Sequence, residues 1–212
     1  MIVKRFVINS SGTNCYVFHR ENGNEAVIID PGSKNLKVVF DYLLSNNLKP
    51  VACLLTHSHF DHIEGIDEIV EKEIPVYASE KEIPLLENDN YNLSRIFGSP
   101  MTVSAASVMA LKDGDIINLA DFDIKVMETP GHTAGSVCYY IESENVLFTG
   151  DTLFCGTFGR TDFPTGNGKI MRSTLTYLLE NMPPETICYA GHNEETTIAS
   201  EQDLLDNWGF ML

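Results

Sequence analysis

No run of apolar residues in this chain approaches the ~18–20 needed to cross a bilayer as a helix, so the sequence offers no membrane span. The opening segment MIVKRFVINSSG carries basic residues, but its apolar stretch is too short for a signal peptide. A cytoplasmic protein with no membrane partner is the expectation. Paired cysteines are missing too. The five present (Cys15, Cys53, Cys138, Cys155 and Cys188) are odd in number, scattered and without a C-x-x-C pair, which argues against a disulfide framework and against a zinc ribbon. Most read as buried thiols in strands, and Cys155 is expected to line the pocket of the functional site. Positive charge is scarce: 14 Lys and Arg stand against 30 Asp and Glu, a formal charge of −16. Such a surface repels phosphate backbones and makes nucleic acid a poor partner. An anionic substrate would need a local positive site, which bound metal ions can supply. No period of 20–50 residues repeats, which excludes solenoids.

What the chain does have is 43% apolar residues in 212, enough for one domain spanning residues 1–212 with a substantial core. Strands are predicted at Ile2–Ile8, Cys15–Phe18 and Ala26–Ile29, with a hairpin signal at Asn22-Gly23. Ser33 is read as the cap of a helix whose apolar residues Leu36, Val39, Phe40, Leu43 and Leu44 recur at helical spacing. A buried strand, Val51–Thr56, precedes a segment of helical character from Ile63 to Glu73. Residues 79–107 read as short helices and loop, either a wall or lid over a site or a surface excursion. Strands return at Ile116–Leu119, Phe122–Met127, Ser136–Ile141 and Val146–Thr149. A helix over Lys169–Asn181, a strand over Thr186–Ala190 and a helix near Thr196–Asn207 complete the chain. In each half strands come first and helices later. The order fits an α+β fold of two packed sheets with helices outside.

Chemistry concentrates in Thr56-His57-Ser58-His59-Phe60-Asp61-His62, immediately after an apolar strand. Three of the six histidines fall in this stretch, and imidazole with carboxylate suits zinc and other first-row metals. In an extended segment His57, His59 and Asp61 share a face, while His62 is turned elsewhere and can serve a second ion. His132, Asp151 and His192 each follow a strand and sit directly behind a glycine that lets the backbone turn. Each alone reads equally well as a turn or capping residue. Together they make seven candidate ligands at four strand ends, where ligands tend to gather. His19 belongs to no such pattern and is expected on a strand surface.

THSHFDHIEG resembles the T-H-x-H-x-D-H-x-x-G signature of the metallo-β-lactamase superfamily. PGHTAGS, FTGDTLF and AGH resemble its later motifs, in the same order, over about Asn14 to Thr197. The resemblance implies a four-layer αββα sandwich with metals at one edge. It assigns His57, His59 and His132 to one ion, Asp61, His62 and His192 to another, and Asp151 to a bridge. The implied cofactors are two divalent ions, zinc first, with iron or manganese as alternatives. GDTLFCGTFGRTDFPTG is similar to the short, single-domain branch of glyoxalase II-like hydroxyacylglutathione hydrolases. That likeness implies hydrolysis of a thioester such as S-lactoylglutathione, with Asp61 as catalytic residue orienting the attacking water. It also marks Arg160, for substrate binding or for an ion pair with Asp162. The lack of an export signal and the presence of Asp151 argue against antibiotic hydrolysis. Two alternatives share the fold: a persulfide dioxygenase with one iron on His57, His132 and Asp151, and a lactone hydrolase.

Overall fold

The computed structural model describes residues 1–97 and 99–208; residues 209–212, with which the expected domain ends, lie outside the described residues. The first half builds a six-stranded sheet from β1 (Ile2–Val7), β2 (Asn14–His19), β3 (Glu25–Ile29), β4 (Lys49–Leu54), β5 (Val76–Ser79) and β6 (Val108–Leu111), side by side in chain order. β1 to β3 form an antiparallel meander, and β3 to β6 pair in parallel. The parallel pairs require crossovers. These are α1 (Lys37–Ser45), then α2 (Phe60–Ile63) with α3 (Ile66–Glu71), then α4 (Ile83–Leu86) with α5 (Ser94–Phe97).

The second half forms another six-stranded sheet. β7 (Ile116–Leu119), β8 (Phe122–Glu128), β9 (Val137–Ile141) and β10 (Val146–Gly150) run antiparallel. α6 (Gly168–Asn181) carries the chain over to β11 (Ile187–Ala190), parallel to β10, and two-residue β12 (Thr196–Thr197) closes the edge. α7 (Leu204–Trp208) follows.

Period-2 alternation then assigns the layers. In β2, Tyr16 and Phe18 point between the sheets, where they meet Phe122, Val126, Tyr139 and Phe148 of the second sheet. Cys15 and Val17 point the other way, against Leu36, Val39, Ile66 and Ile69 of the first helical layer. On the far side, Cys138, Tyr140, Leu147 and Cys188 pack against Met171, Leu175 and Leu178 of α6. The result is the expected four-layer αββα sandwich.

Several local expectations need correction. β5 and β6 were not foreseen, because each is a short strand with no clean alternation of burial to mark it. The Thr196–Asn207 segment is not one helix: Thr196 and Thr197 pair with β11, a 3₁₀ turn follows at Ala199–Glu201, and only then does α7 begin. Ser33 does not cap α1, which starts at Lys37 with no side-chain cap on its Leu36 terminus; the Ser33 hydroxyl accepts from the Asn35 N–H instead. His19 lies on a strand but is 5% exposed, its ring held by the Arg20 carbonyl at 2.8 Å and the Tyr42 hydroxyl at 2.9 Å.

Candidate metal centre

The site assembles at the C-terminal ends of five strands, β3, β4, β8, β10 and β11. β4 delivers His57 and His59 on an extended stretch, and the chain then turns at His59 into α2. That turn changes the company of Asp61. It does not join His57 and His59 on one face, as an extended segment would require; α2 swings it toward His192, whose Nε2 lies 3.6 Å from Asp61 Oδ2. His132 arrives on the loop after β8, and its Nε2 is 2.8 Å from His59 Nδ1, which is itself 3.1 Å from His57 Nε2. Asp151, just past β10, reaches in three directions: Oδ1 to His62 Nε2 at 3.3 Å, and Oδ2 to His132 Nε2 and His192 Nε2, each at 3.5 Å. All seven sequence-predicted residues are therefore brought together, in three overlapping groups whose donor atoms lie within 4.8 Å of one another: His57, His59 and His132; His57, His62 and Asp151; Asp61, His62 and His192.

Hydrogen bonds behind the rings decide which nitrogen faces the centre. His132 Nδ1–H donates to the Arg160 carbonyl at 2.7 Å, which turns its Nε2 lone pair inward. His62 Nδ1–H donates to Asp30 Oδ2 at 2.9 Å. Asp30 also accepts from the Thr56 N–H at 2.8 Å and from the Thr56 hydroxyl at 2.7 Å, leaving that hydroxyl oxygen to accept from His57 Nδ1–H at 3.1 Å. Asp30 thus fixes two rings at once. Sequence reasoning passed over it, although Asp30-Pro31-Gly32 repeats the pattern of a polar residue leaving a buried strand. Glu82 gives no signal in the sequence, where it is one acid among 30. It is buried, and accepts from the Ser58 N–H at 2.7 Å, the Thr133 hydroxyl at 2.7 Å and the Gly135 N–H at 2.9 Å, so that it ties the His57–His59 loop to the His132 loop.

The groups are electrostatically unlike. Burial, then the neighbouring His62 and His59, push His57 well below the usual imidazole range; burial and His132 do the same to His59. Burial works against the charged form of His62 as well, but Asp151 and Asp30 outweigh it and hold His62 well above its ordinary value. His192 is raised in the same way, burial opposing and Asp151 winning. Asp151, despite burial, is held well below the carboxylate range, chiefly by His62 and His192.

The donor set fits a divalent ion on a structural test. His62 Nε2 and Asp151 Oδ1, both turned to the centre, are buried and find no hydrogen-bond partner among the described residues. Native proteins rarely leave such atoms unsatisfied without an ion, water or function to explain them. Two glycines allow the approach: a Cβ on Gly191 would stand 2.2 Å from Asp151 Oδ1, and one on Gly159 would stand 2.0 Å from the Asp151 carbonyl and 3.0 Å from His132 Nδ1.

Above the cluster opens a cavity of about 450 Å³ lined by Phe60, Leu93, Phe97, Phe154, Phe163 and Arg160 together with the His and Asp side chains. Leu93 and Phe97 come from the 79–107 segment, which is therefore a wall of the site. Arg160 does line the cavity, and its guanidinium grips Asp162 at 2.6 and 2.7 Å. Cys155 does not: it lines a separate cavity of about 740 Å³ beside Glu201 and Leu204.

Residues 9–192 match the model of the metallo-beta-lactamase superfamily. Among curated relatives, the probable metallo-hydrolase YqgX of Bacillus subtilis is 35% identical over 94% of this chain and 94% of its own. A hydroxyacylglutathione hydrolase of Bdellovibrio bacteriovorus is 33% identical over 79% of this chain, which spans 58% of that protein. Among solved structures, the BLEG-1 B3 metallo-beta-lactamase has a TM-score of 0.86 and 36% identity, covering 95% of this chain and 97% of that one. TTHA1623 in a di-iron-bound form has a TM-score of 0.82 and 31% identity, covering 93% and 96%. With the fold, the motifs and the clustered donors in agreement, the chain belongs to the metallo-β-lactamase superfamily, as a hydrolase dependent on a divalent metal.

Proposed function

We propose that the chain hydrolyses a thioester of a small acyl-thiol, of the S-lactoylglutathione type, at a site for two metal ions. The observation that carries this reading is the convergence of three overlapping His–Asp groups, with two orphaned buried atoms among them, at the floor of one cavity. In it His57, His59 and His132 hold one ion and Asp61, His62 and His192 the other. Asp151 serves both, because its two oxygens reach toward both groups. The similarity to a hydroxyacylglutathione hydrolase supports a thioester, and the likeness to a di-iron form of TTHA1623 supports two ions, with iron a candidate beside zinc.

Bound ions supply Lewis acidity, polarising the carbonyl and bringing the pKa of water toward ~7. The chain's own residues do the rest. Asp61 Oδ2 accepts from the Thr13 hydroxyl at 2.9 Å, which holds the carboxylate toward the cavity, where it can accept a proton from the attacking water. The water oxygen bonds to the acyl carbon, the carbon–sulfur bond breaks, and the proton taken by Asp61 passes to the departing thiolate. The products are a carboxylic acid and a thiol.

The test is metal content per chain on protein purified without added metal. On the same sample, S-lactoylglutathione hydrolysis is assayed beside glutathione-persulfide-dependent oxygen uptake and hydrolysis of a lactone and a β-lactam. About two ions with thioester turnover is the expected result, and His59→Ala should lose one ion and most of the turnover. One iron with oxygen uptake would move the protein to the dioxygenase reading, for which His57, His132 and Asp151 also lie mutually close. Turnover confined to the β-lactam would align it with BLEG-1.

A further inference from the structure

The wall of the cavity is an aromatic arc. Phe60 stacks on Phe97 with ring centroids 6.4 Å apart and planes at 19°, and Phe97 meets Phe163 at 5.5 Å. Phe163 in turn stands edge-on to His59 at 6.0 Å, so the arc runs directly to the candidate ligands. Phe154 faces it from the side of His192, at 5.7 Å from that ring. Phe97 is 56% exposed, and its neighbour Ile96 is 60% exposed, so the apolar surface continues outward from the cavity to the rim. Large apolar side chains left open at a site mark the place where an apolar ligand is covered.

Charge is arranged to the same end. Arg160 is the one Lys or Arg among the described residues lining the cavity. Its fork is filled by the Asp162 carboxylate in a bidentate pair, and its plane lies 3.9 Å from the Phe163 ring centroid. A substrate carboxylate would meet only the outer N–H donors of a guanidinium whose charge is already paired with Asp162. Asp162, held down to about 2 by Arg160, stays ionised and does not yield by protonation at neutral pH. Asp61 and Asp151 at the floor would be offset by the ions they hold, so discrimination by charge lies on the walls, within a chain that carries −16 overall. A tripeptide thiol with two free carboxylates finds no unengaged cation on these walls.

Building on the thioester reading, we propose that the thiol portion this cavity accepts best is uncharged and apolar, an aryl or aralkyl group lying on the Phe60–Phe97–Phe163 arc. The Arg160–Asp162 pair acts as a neutralised gatepost that disfavours thiols bearing free carboxylates.

The experiment compares two thioesters with the same lactoyl group, one on glutathione and one on phenylmethanethiol, using the metal-loaded protein. The phenylmethanethiol ester should have kcat/KM higher by ~10-fold or more, the discrimination a well-filled apolar pocket gives, carried mainly by KM. Phe97→Ala should remove most of that advantage. Asp162→Asn, which frees the guanidinium, should lower KM for the glutathione ester several-fold and leave the other ester unchanged. A higher kcat/KM for the glutathione ester, or a glutathione KM indifferent to Asp162→Asn, would overturn the proposal. Hydrolysis is kept apart from recognition by titrating the protein calorimetrically with S-methylglutathione and with benzyl methyl sulfide, neither of which can be hydrolysed. If neither ester turns over, the thioester reading fails. The cavity preference then stands if the sulfide binds more tightly and falls if the glutathione derivative does.

Discussion

Asp30 does for His62 what the Arg160 carbonyl does for His132: each occupies the ring nitrogen that faces away from the centre and leaves the other free. Asp30 is the more demanding part, since its two oxygens take three donors in a buried setting. Asp30→Asn keeps the shape but gives those donors one carbonyl oxygen and an amide that is itself a donor. Metal affinity should fall by ~10- to 100-fold, the usual consequence of losing a carboxylate behind a ligating histidine. Competition against a chromogenic chelator measures it, with circular dichroism to show that the fold survives; an unchanged affinity would mean that His62 is oriented by something else. At this scale the seven donors were legible in the sequence, because each is a metal-type side chain leaving an apolar strand. Asp30 carries the same signal, a polar residue leaving a buried strand, without a histidine beside it to suggest a metal. Glu82 carries none, because a carboxylate that accepts hydrogen bonds in the interior looks, in sequence, like any surface acid.

At the scale of elements, strand ends and the glycines behind them decide whether the donors can meet. β10 and β11 run parallel, and the Gly191 N–H donates to the Gly150 carbonyl at 2.7 Å, so that Asp151 and His192 leave neighbouring strands side by side. Gly150 takes a φ of +47°, and a side chain there would also strike Thr56. Gly191 has no room at all. Gly191→Ala would place a methyl 2.2 Å from Asp151 Oδ1 and 2.8 Å from the His62 ring, so the aspartate must move. We expect this variant to lose at least one ion per chain and nearly all turnover while its thermal unfolding without metal shifts by only a few degrees, measured by metal analysis and scanning calorimetry. Full metal content would contradict the packing argument. Long periodic elements such as α6 could be read in advance. β5, β6 and β12 could not: β12 has only two residues, and β5 and β6 lack the alternation that the equally short β7 and β11 show, so all three are fixed by the partners they pair with.

Across the whole molecule, the centre lies where the two sheets meet at one end, and groups from both halves contribute. His57, His59, Asp61 and His62 come from the first sheet's crossover, whereas His132, Asp151 and His192 come from the second sheet. Asn14 at the start of β2 donates to the Ala190 and Asn193 carbonyls, each at 2.9 Å, and so holds the His192 loop against the first sheet. An ion held by residues of both halves cross-links them, and removing it should destabilise the protein as a unit. Chelation should therefore lower Tm in a single cooperative transition, by an amount that depends on pH. His62 and His192, raised in the metal-free protein, must release their protons before they can bind an ion. Their own contribution to metal-free stability is present at low pH and is lost as pH rises through the raised values. The gap between loaded and chelated protein should thus widen as pH rises and close on acidification, with metal released as it closes. A gap independent of pH would show that protons and metal do not compete here. No helix among the described residues is long and apolar enough to cross a membrane, which agrees with the hydropathy of the sequence.

The sequence by itself determined the donor inventory, the strand ends that carry it and the two-sheet order, because those follow from backbone periodicity and residue chemistry within a few positions. Local spacing put Asp61 on one face with His57 and His59. Only the tertiary structure, through the turn at His59, brings it beside His192, the company that the family resemblance implied. It also decided that His19 is buried, that Cys155 opens on another cavity, and that Arg160 is neutralised above an aromatic wall. These are contacts set by how two sheets pair and pack, and local spacing holds no information about which distant residue a side chain will meet.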